Sequence, residues 1–157
     1  MSTDRTPRAK RRHPAEFPVE ESLRYQDTPI RPRYAECDPM GVVHHSNYPV
    51  WFELGRTDML RGDGGSYRDL ETAGVFLVVA DLAIRFRRPA RYDDELILRT
   101  HLLEGGRARI RHGYELFGPD GSILVTATTT LACVDSNGNL RPIPDEVAAM
   151  GGSPKSH

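Results

Sequence analysis

The residues best suited to chemistry lie together in Tyr34-Ala35-Glu36-Cys37-Asp38-Pro39-Met40-Gly41-Val42-Val43-His44-His45-Ser46-Asn47-Tyr48. Asp38 sits in a tight turn, and a helix is expected to begin about seven residues later. The first amides of a helix point outward unpaired and carry roughly half a positive charge. A thioester carbonyl docked there would be polarised, and negative charge developing on its oxygen would be stabilised. A carboxylate on the other side could attack the carbon or deprotonate a water. Met40, Gly41, Val42 and Val43 would give a close backbone approach and an apolar wall. Taken bare, an Asp-Pro turn before a helix is often only a turn.

Other residues compete for a role. Cys37 would need a lowered pKa to act as a nucleophile, and no cysteine-hydrolase pattern surrounds it, so a structural thiol is the plainer reading. His44 and His45, with His101 and His112, raise the question of zinc. Adjacent histidines in an extended segment point opposite ways, and no further ligand is suitably spaced. No metal is expected. Glu53 could serve as a second acid; its plainer role is an i,i+3 pair with Arg56. Arg107, Arg109 and Arg111 alternate and would share one strand face, either as a solvated surface or, with Arg87 and Arg88, as an anchor for phosphates. No glycine-rich phosphate loop is present.

The elements that must position these groups can be read from patterning. The segment at about 28–36 looks extended, and Pro32 favours an edge or a bend. Asn47 to Leu60 is the most helical stretch, with Ser46 or Asn47 as cap and Pro49 in the first turn. Val50, Trp51, Phe52, Leu54, Met59 and Leu60 make it apolar around much of its circumference, as in a buried helix. Residues 66–73 form a short helix that Gly74 ends. Val75–Phe86, Glu95–Leu103, Arg107–Phe117 and Ser122–Val134 read as long strands, joined at Gly105-Gly106 and Pro119-Asp120-Gly121 into an antiparallel meander. One helix followed by four strands implies an α+β fold in which a sheet wraps around a long central helix.

The chain of 157 residues fits one domain. Three parts are expected: a flexible basic arm over residues 1–24, a folded domain over 25–148 and a loose tail over 149–157. A composition 38% hydrophobic and 27% charged is ordinary for a globular protein, and a net charge of −1 opposes a nucleic-acid-binding role. The arm's arginines and lysine read as a solvated tail. No apolar run reaches the ~18 residues of a span, and no signal peptide is apparent. Two distant cysteines suggest a reducing cytoplasm.

The run from Asp38 to Tyr48, with Phe52-Glu53 and Arg56, resembles the 4-hydroxybenzoyl-CoA thioesterase family of hot-dog proteins. Its pattern is roughly Tyr-x-Asp-Thr-Asp-x-x-Gly-x-Val-x-His-x-x-Tyr, then Phe-Glu-x-x-Arg. Phe86 to Asp94 is similar to the family's Pro-Ala-Arg loop, and the turn at Gly105-Gly106 and the close at Leu131–Asp135 also correspond. The likeness spans about residues 28–146 and implies hydrolysis of an acyl-CoA or aroyl-CoA thioester, without cofactor or metal, by a homodimer or homotetramer with active sites at subunit interfaces. It places the catalytic acid at Asp38 and the carbonyl-polarising amide at His45. Gly41, Val42, Val43 and Tyr48 would bind the acyl part, and Arg88, Arg107 and Arg109 the nucleotide. Glu36 and Cys37 stand where the family often has Asp and Thr, and His44 replaces an aromatic. Two other readings remain: a hot-dog hydratase or dehydratase of enoyl or hydroxyacyl thioesters, whose His-Phe-Pro-type loop is missing here, and a non-catalytic acyl-CoA binding module.

Overall fold

The computed structural model describes residues 11–150. Five strands, β1 (Arg24–Ile30), β2 (Phe76–Phe86), β3 (Leu96–Gly105), β4 (Ile110–Phe117) and β5 (Ile123–Val134), form one sheet. Three helices accompany it: α1 (Tyr48–Gly62), α2 (Tyr67–Thr72) and α3 (Asp145–Met150). The sheet order is β1-β3-β4-β5-β2, and every pairing is antiparallel. The expected meander is therefore limited to β3, β4 and β5. Strand β2 crosses to the far edge and pairs with β5 from Phe76↔Val134 to Phe86↔Val125.

Helix α1 is set by its spacing. Tyr48, Trp51, Phe52, Gly55, Arg56 and Met59 are buried, three or four residues apart along one stripe. Phe52 stacks on Tyr114 of β4, with ring centroids 4.5 Å apart. Gly55 rests against Leu98 and Thr100 of β3. Burying each large side chain of this kind contributes about 1.5–3 kcal/mol. The stripe is narrower than expected from sequence. Val50 and Leu54 are 51% and 48% exposed, since the sheet covers only one side of the helix.

Two further expectations need correction. The first strand spans Arg24–Ile30, earlier than the 28–36 read from sequence, and Tyr34–Glu36 is a 3₁₀ turn. The second half of the supposed arm is packed. Pro14 accepts the Thr128 hydroxyl at 2.8 Å, Glu16 pairs with Arg85 and Arg87, and Phe17 lies edge-on to His101 at 5.1 Å. This segment covers the sheet face turned away from α1, where His101, Glu115, Thr126 and Thr128 are buried. The segment gives two of them partners, the Pro14 carbonyl for Thr128 and the Ser22 hydroxyl for His101, while the Thr126 hydroxyl has none among the described residues. Residues 1–10 of the arm and 151–157 of the tail lie outside the described residues. Among the described residues, no helix is long and apolar enough to cross a membrane.

Candidate active site

Residues 36–44 form a hairpin whose tip holds Asp38. Cys37 bridges Val43, the Asp38 amide donates to Val42 O at 2.9 Å, and the His44 amide donates to Glu36 O at 2.9 Å. The tip closes through the Gly41 amide to Asp38 O at 2.9 Å. Gly41 has φ +77°, a left-handed conformation that side chains disfavour. The Asp38 carboxylate is half-buried and asymmetric in its bonding. Oδ1 accepts the amides of Met40 at 2.8 Å and Val42 at 3.4 Å. Oδ2 carries no hydrogen bond, and no arginine pairs with the group, among the described residues.

The second leg of the hairpin runs directly into the helix. His45–Asn47 make a 3₁₀ turn that continues as α1. Asn47 holds the N-cap position of α1, as expected, but its side chain accepts no capping bond; the 3₁₀ turn is capped by His44, whose Nδ1 accepts the Ser46 amide at 3.2 Å and whose O accepts the Asn47 amide at 3.0 Å. Asn47 instead donates its side-chain amide to Glu36 O at 2.9 Å and His44 O at 3.2 Å. Among the described residues, no acceptor engages the His45 amide at this electropositive helix start. The His44 and His45 rings tilt together at 4.2 Å, because the 3₁₀ turn replaces the extended geometry in which they would diverge.

The loop after β2 supports this arrangement. The Val43 amide donates to Ala90 O at 2.8 Å, and Val42 bridges Arg91. Val42 is half-buried, while Val43 and Tyr48 belong to the core, at 5% and 2% exposure. The Tyr48 hydroxyl accepts the Ala90 amide at 3.4 Å, and its burial raises its pKa. These two residues thus form the floor beneath the turn rather than an open wall. Arg88 is exposed at this end of the sheet, its amide bonded to Leu124 O.

Arg107 and Arg109 are not beside Arg88. They lie in the turn before β4, whereas Arg88 adjoins the strand's opposite end, and an eight-residue strand spans roughly 25 Å. Nor do they share a strand face, since β4 starts only at Ile110. Arg107 approaches Asp145 at 3.6 Å and Arg109 pairs with Glu104 at 3.0 Å. A single arginine strip along one chain is excluded by this geometry.

The remaining candidates are dispersed. Cys37 is half-buried and points its sulfur at Arg33 O, 3.6 Å away. Glu53 is exposed and makes no ion pair with Arg56 among the described residues; the buried Arg56 donates to the Tyr114 hydroxyl at 3.0 Å. His101 lies between Glu115 at 2.6 Å and Ser22 at 2.8 Å on the far face of the sheet. His112 is buried, and desolvation, with Arg56 and Arg24 nearby, pushes its pKa down to about 3. Among the described residues, no cluster of His, Cys, Asp and Glu could hold a metal.

Sequence reasoning missed Glu36. It is only 6% exposed, and its carboxylate accepts the Arg33 amide at 2.8 Å and the Trp51 indole N–H at 2.9 Å. Burial raises its pKa, but these hydrogen bonds and the Arg33 charge outweigh that and leave it lowered. The signal available in sequence was an acid two residues before Asp38 and a tryptophan one turn into the helix.

Grooves elsewhere do not mark the site. One of about 670 Å³ runs between Asp27, Arg31, Arg99 and Phe117 at the β1 edge. Others lie beside Tyr67 and beside Leu140, and none of the three is lined by Asp38 or His45.

An antiparallel sheet wrapped on one helix, with an acid in the turn that leads to the helix start, is the architecture of the hot-dog thioesterases. The chain belongs to the thioesterase-like superfamily, whose family profile matches residues 32–150. It is 36% identical over 114 residues to YneP of Bacillus subtilis, covering 73% of this chain and 82% of that protein. It is also 36% identical over 124 residues to the acyl-CoA thioesterase YbgC of Haemophilus influenzae, covering 77% of this chain and 90% of that protein. The solved DHNA-CoA thioesterase of Staphylococcus aureus is 35% identical, with a TM-score of 0.71 over 76% of this chain and 79% of the other.

Proposed function

We propose that this acyl-CoA thioesterase hydrolyses acyl-CoA or aroyl-CoA esters to the free acid and coenzyme A, with Asp38 as nucleophile or general base. The observation that carries the reading is the division of labour on Asp38: Oδ1 is anchored by two amides while Oδ2 is free. An anchored carboxylate with one available oxygen is oriented without being neutralised. The unengaged amide of His45 holds the carbonyl oxygen as negative charge builds on it. Attack by Oδ2, or by a water it deprotonates, forms a bond to the carbonyl carbon. The carbon–sulfur bond then breaks and the sulfur leaves with its electron pair as the CoA thiolate. Attack through Oδ2 gives a mixed anhydride that water then hydrolyses. Neither route calls on a metal or cofactor.

Gly41 and Val42 border the reacting carbonyl, with Val43 and Tyr48 beneath them. Arg88 meets the nucleotide phosphates at the same end of the sheet. Arg107 and Arg109 reach that nucleotide only if another subunit brings them there. A homodimer or homotetramer completes the acyl pocket. Val78, Val79, Leu82 and Phe86 on edge strand β2 are 40–52% exposed, as are Val50 and Leu54 on α1. The free thiols Cys37 and Cys133 suit a reducing cytoplasm.

The test is release of free thiol from short, branched, long and aromatic CoA esters by wild type and Asp38→Asn. The substitution is expected to cost at least ~10²-fold in kcat with the fold retained. Near-wild-type turnover by the variant overturns the assignment of Asp38. Ester binding by wild type without thiol release overturns the hydrolase reading.

A further inference from the structure

The catalytic turn and the helix start are separate pieces of backbone, and hydrolysis as proposed requires that they hold one fixed relation. One residue bonds to both. The Glu36 carbonyl accepts the His44 amide and the Asn47 side chain, each at 2.9 Å, at the turn that leads into α1. Its carboxylate accepts the Trp51 indole N–H through Oε2, one helical turn further on. Oε1 accepts the Arg33 amide at 2.8 Å and Arg33 Nε at 3.2 Å, fixing the chain that enters the hairpin. Asp38 follows two residues later, on the same hairpin leg.

We propose that Glu36 is a positioning residue for thioester hydrolysis, a buried carboxylate clamp that locks the Asp38 turn against the first turn of α1. This inference rests on the assignment of Asp38 above. Glu36 is buried and touches no reacting atom; it acts by fixing where the Asp38 carboxylate stands relative to the helix start. Both carboxylate oxygens must accept, because each faces an N–H donor. A glutamine in its place has one accepting oxygen and one NH₂ group. Whichever way it turns, a donor meets either the Arg33 amide or the Trp51 indole, and one arm of the clamp opens. Displacing catalytic groups by about 1 Å can cost 10²-fold in rate.

The experiment measures kcat and KM for Glu36→Gln, Asp38→Asn and the double variant on one CoA ester, together with the emission of Trp51, the sole tryptophan. Glu36→Gln is expected to lower kcat at least about tenfold, to leave KM within about threefold and to shift Trp51 emission. Added to Asp38→Asn, it is expected to cost less than about twofold more, because it acts through the group already removed. A merely structural role lowers the active fraction by the same factor in both backgrounds, and that result overturns the proposal. Wild-type kcat in Glu36→Gln also overturns it. Should Glu36→Gln fail to fold, Trp51→Phe opens the same arm from the other side, and the same comparison with Asp38→Asn applies. An inactive Asp38→Asn beside a fully active Glu36→Gln refutes the clamp alone. An active Asp38→Asn refutes the assignment on which it rests.

Discussion

Gly55 of α1 lies so close to Thr100 of β3 that a Cβ added to the glycine would sit 2.2 Å from Thr100 Oγ1 and 3.0 Å from Leu98 Cδ2. The helix therefore meets the sheet through its backbone at this point. That contact sets how closely α1 approaches β3. Thr100 is fully buried and β-branched, so it has little freedom to turn aside. Gly55→Ala is expected to destabilise the protein by about 1–3 kcal/mol despite the better helix propensity of alanine. Urea unfolding checks this, and an unchanged midpoint would show that the helix can lift without cost.

His112 gives the stability a defined pH dependence. Buried beside Arg56 and Arg24, it stays neutral in the folded state down to about pH 3, whereas the ordinary value is 6.5. Between these values the unfolded chain binds a proton that the folded chain does not. Stability from this group is complete above the unfolded value and falls as the medium is acidified, by about 1.4 kcal/mol per pH unit. His112→Gln removes that proton from the balance. Its unfolding free energy is expected to vary less steeply between pH 6 and pH 4 than wild type, by about one proton. Equal slopes would mean that His112 is protonated in the fold.

The segment packed over the outer sheet face also makes a measurable contribution. Phe17 lies against Gly113, where a Cβ would come within 2.6–2.7 Å of three ring atoms, so the ring fits only because this strand residue lacks a side chain. Phe17→Ala is expected to cost about 1–3 kcal/mol, less than a full core truncation because the ring is only half-buried. Calorimetric unfolding reads the effect. A loss below about 0.5 kcal/mol would mark the segment as weakly attached.

The sequence patterns explain which parts of this architecture could be foreseen. Helix α1, the Ser66-capped α2 ended by Gly74, and strands β2 to β5 follow from periodicity and turn residues within a few positions. Asp38 stood out because Asp-Pro-Met-Gly describes a turn and a helix pattern follows it. The position of β2 beside β5 was not legible, since alternation defines a strand's faces but not its neighbour. The start of β4 was placed at Arg107 rather than Ile110 because a turn with alternating residues looks like the strand it precedes. Register also shifts nearby, between Leu102 and Glu104. Nothing in the sequence marked Glu36 as buried; only the fold brings the Trp51 indole to it. The docking of residues 13–22 depends on a buried polar surface formed by strands about 80 to 115 residues further along.

Edge strand β2 supplies the test of assembly. Val79 and Leu82 are 48% and 40% exposed on a sheet edge, flanking a register shift at Val79/Asp81, with Val50 and Leu54 of α1 also uncovered. An unpaired edge with apolar side chains invites pairing with another chain, and lysine on such an edge opposes it. The paired variant Val79→Lys with Leu82→Lys leaves the side chains of the two core clusters untouched, so each subunit is expected to stay folded. Light scattering should show wild type at twice or four times the subunit mass and the variant at the subunit mass. Where a neighbouring copy completes the acyl pocket, as proposed, turnover falls at least about tenfold with it. A variant that keeps both its assembly and its activity would place the subunit contact elsewhere on the molecule. One that dissociates yet turns over normally would show that Asp38 and His45 within a single chain suffice for the reaction.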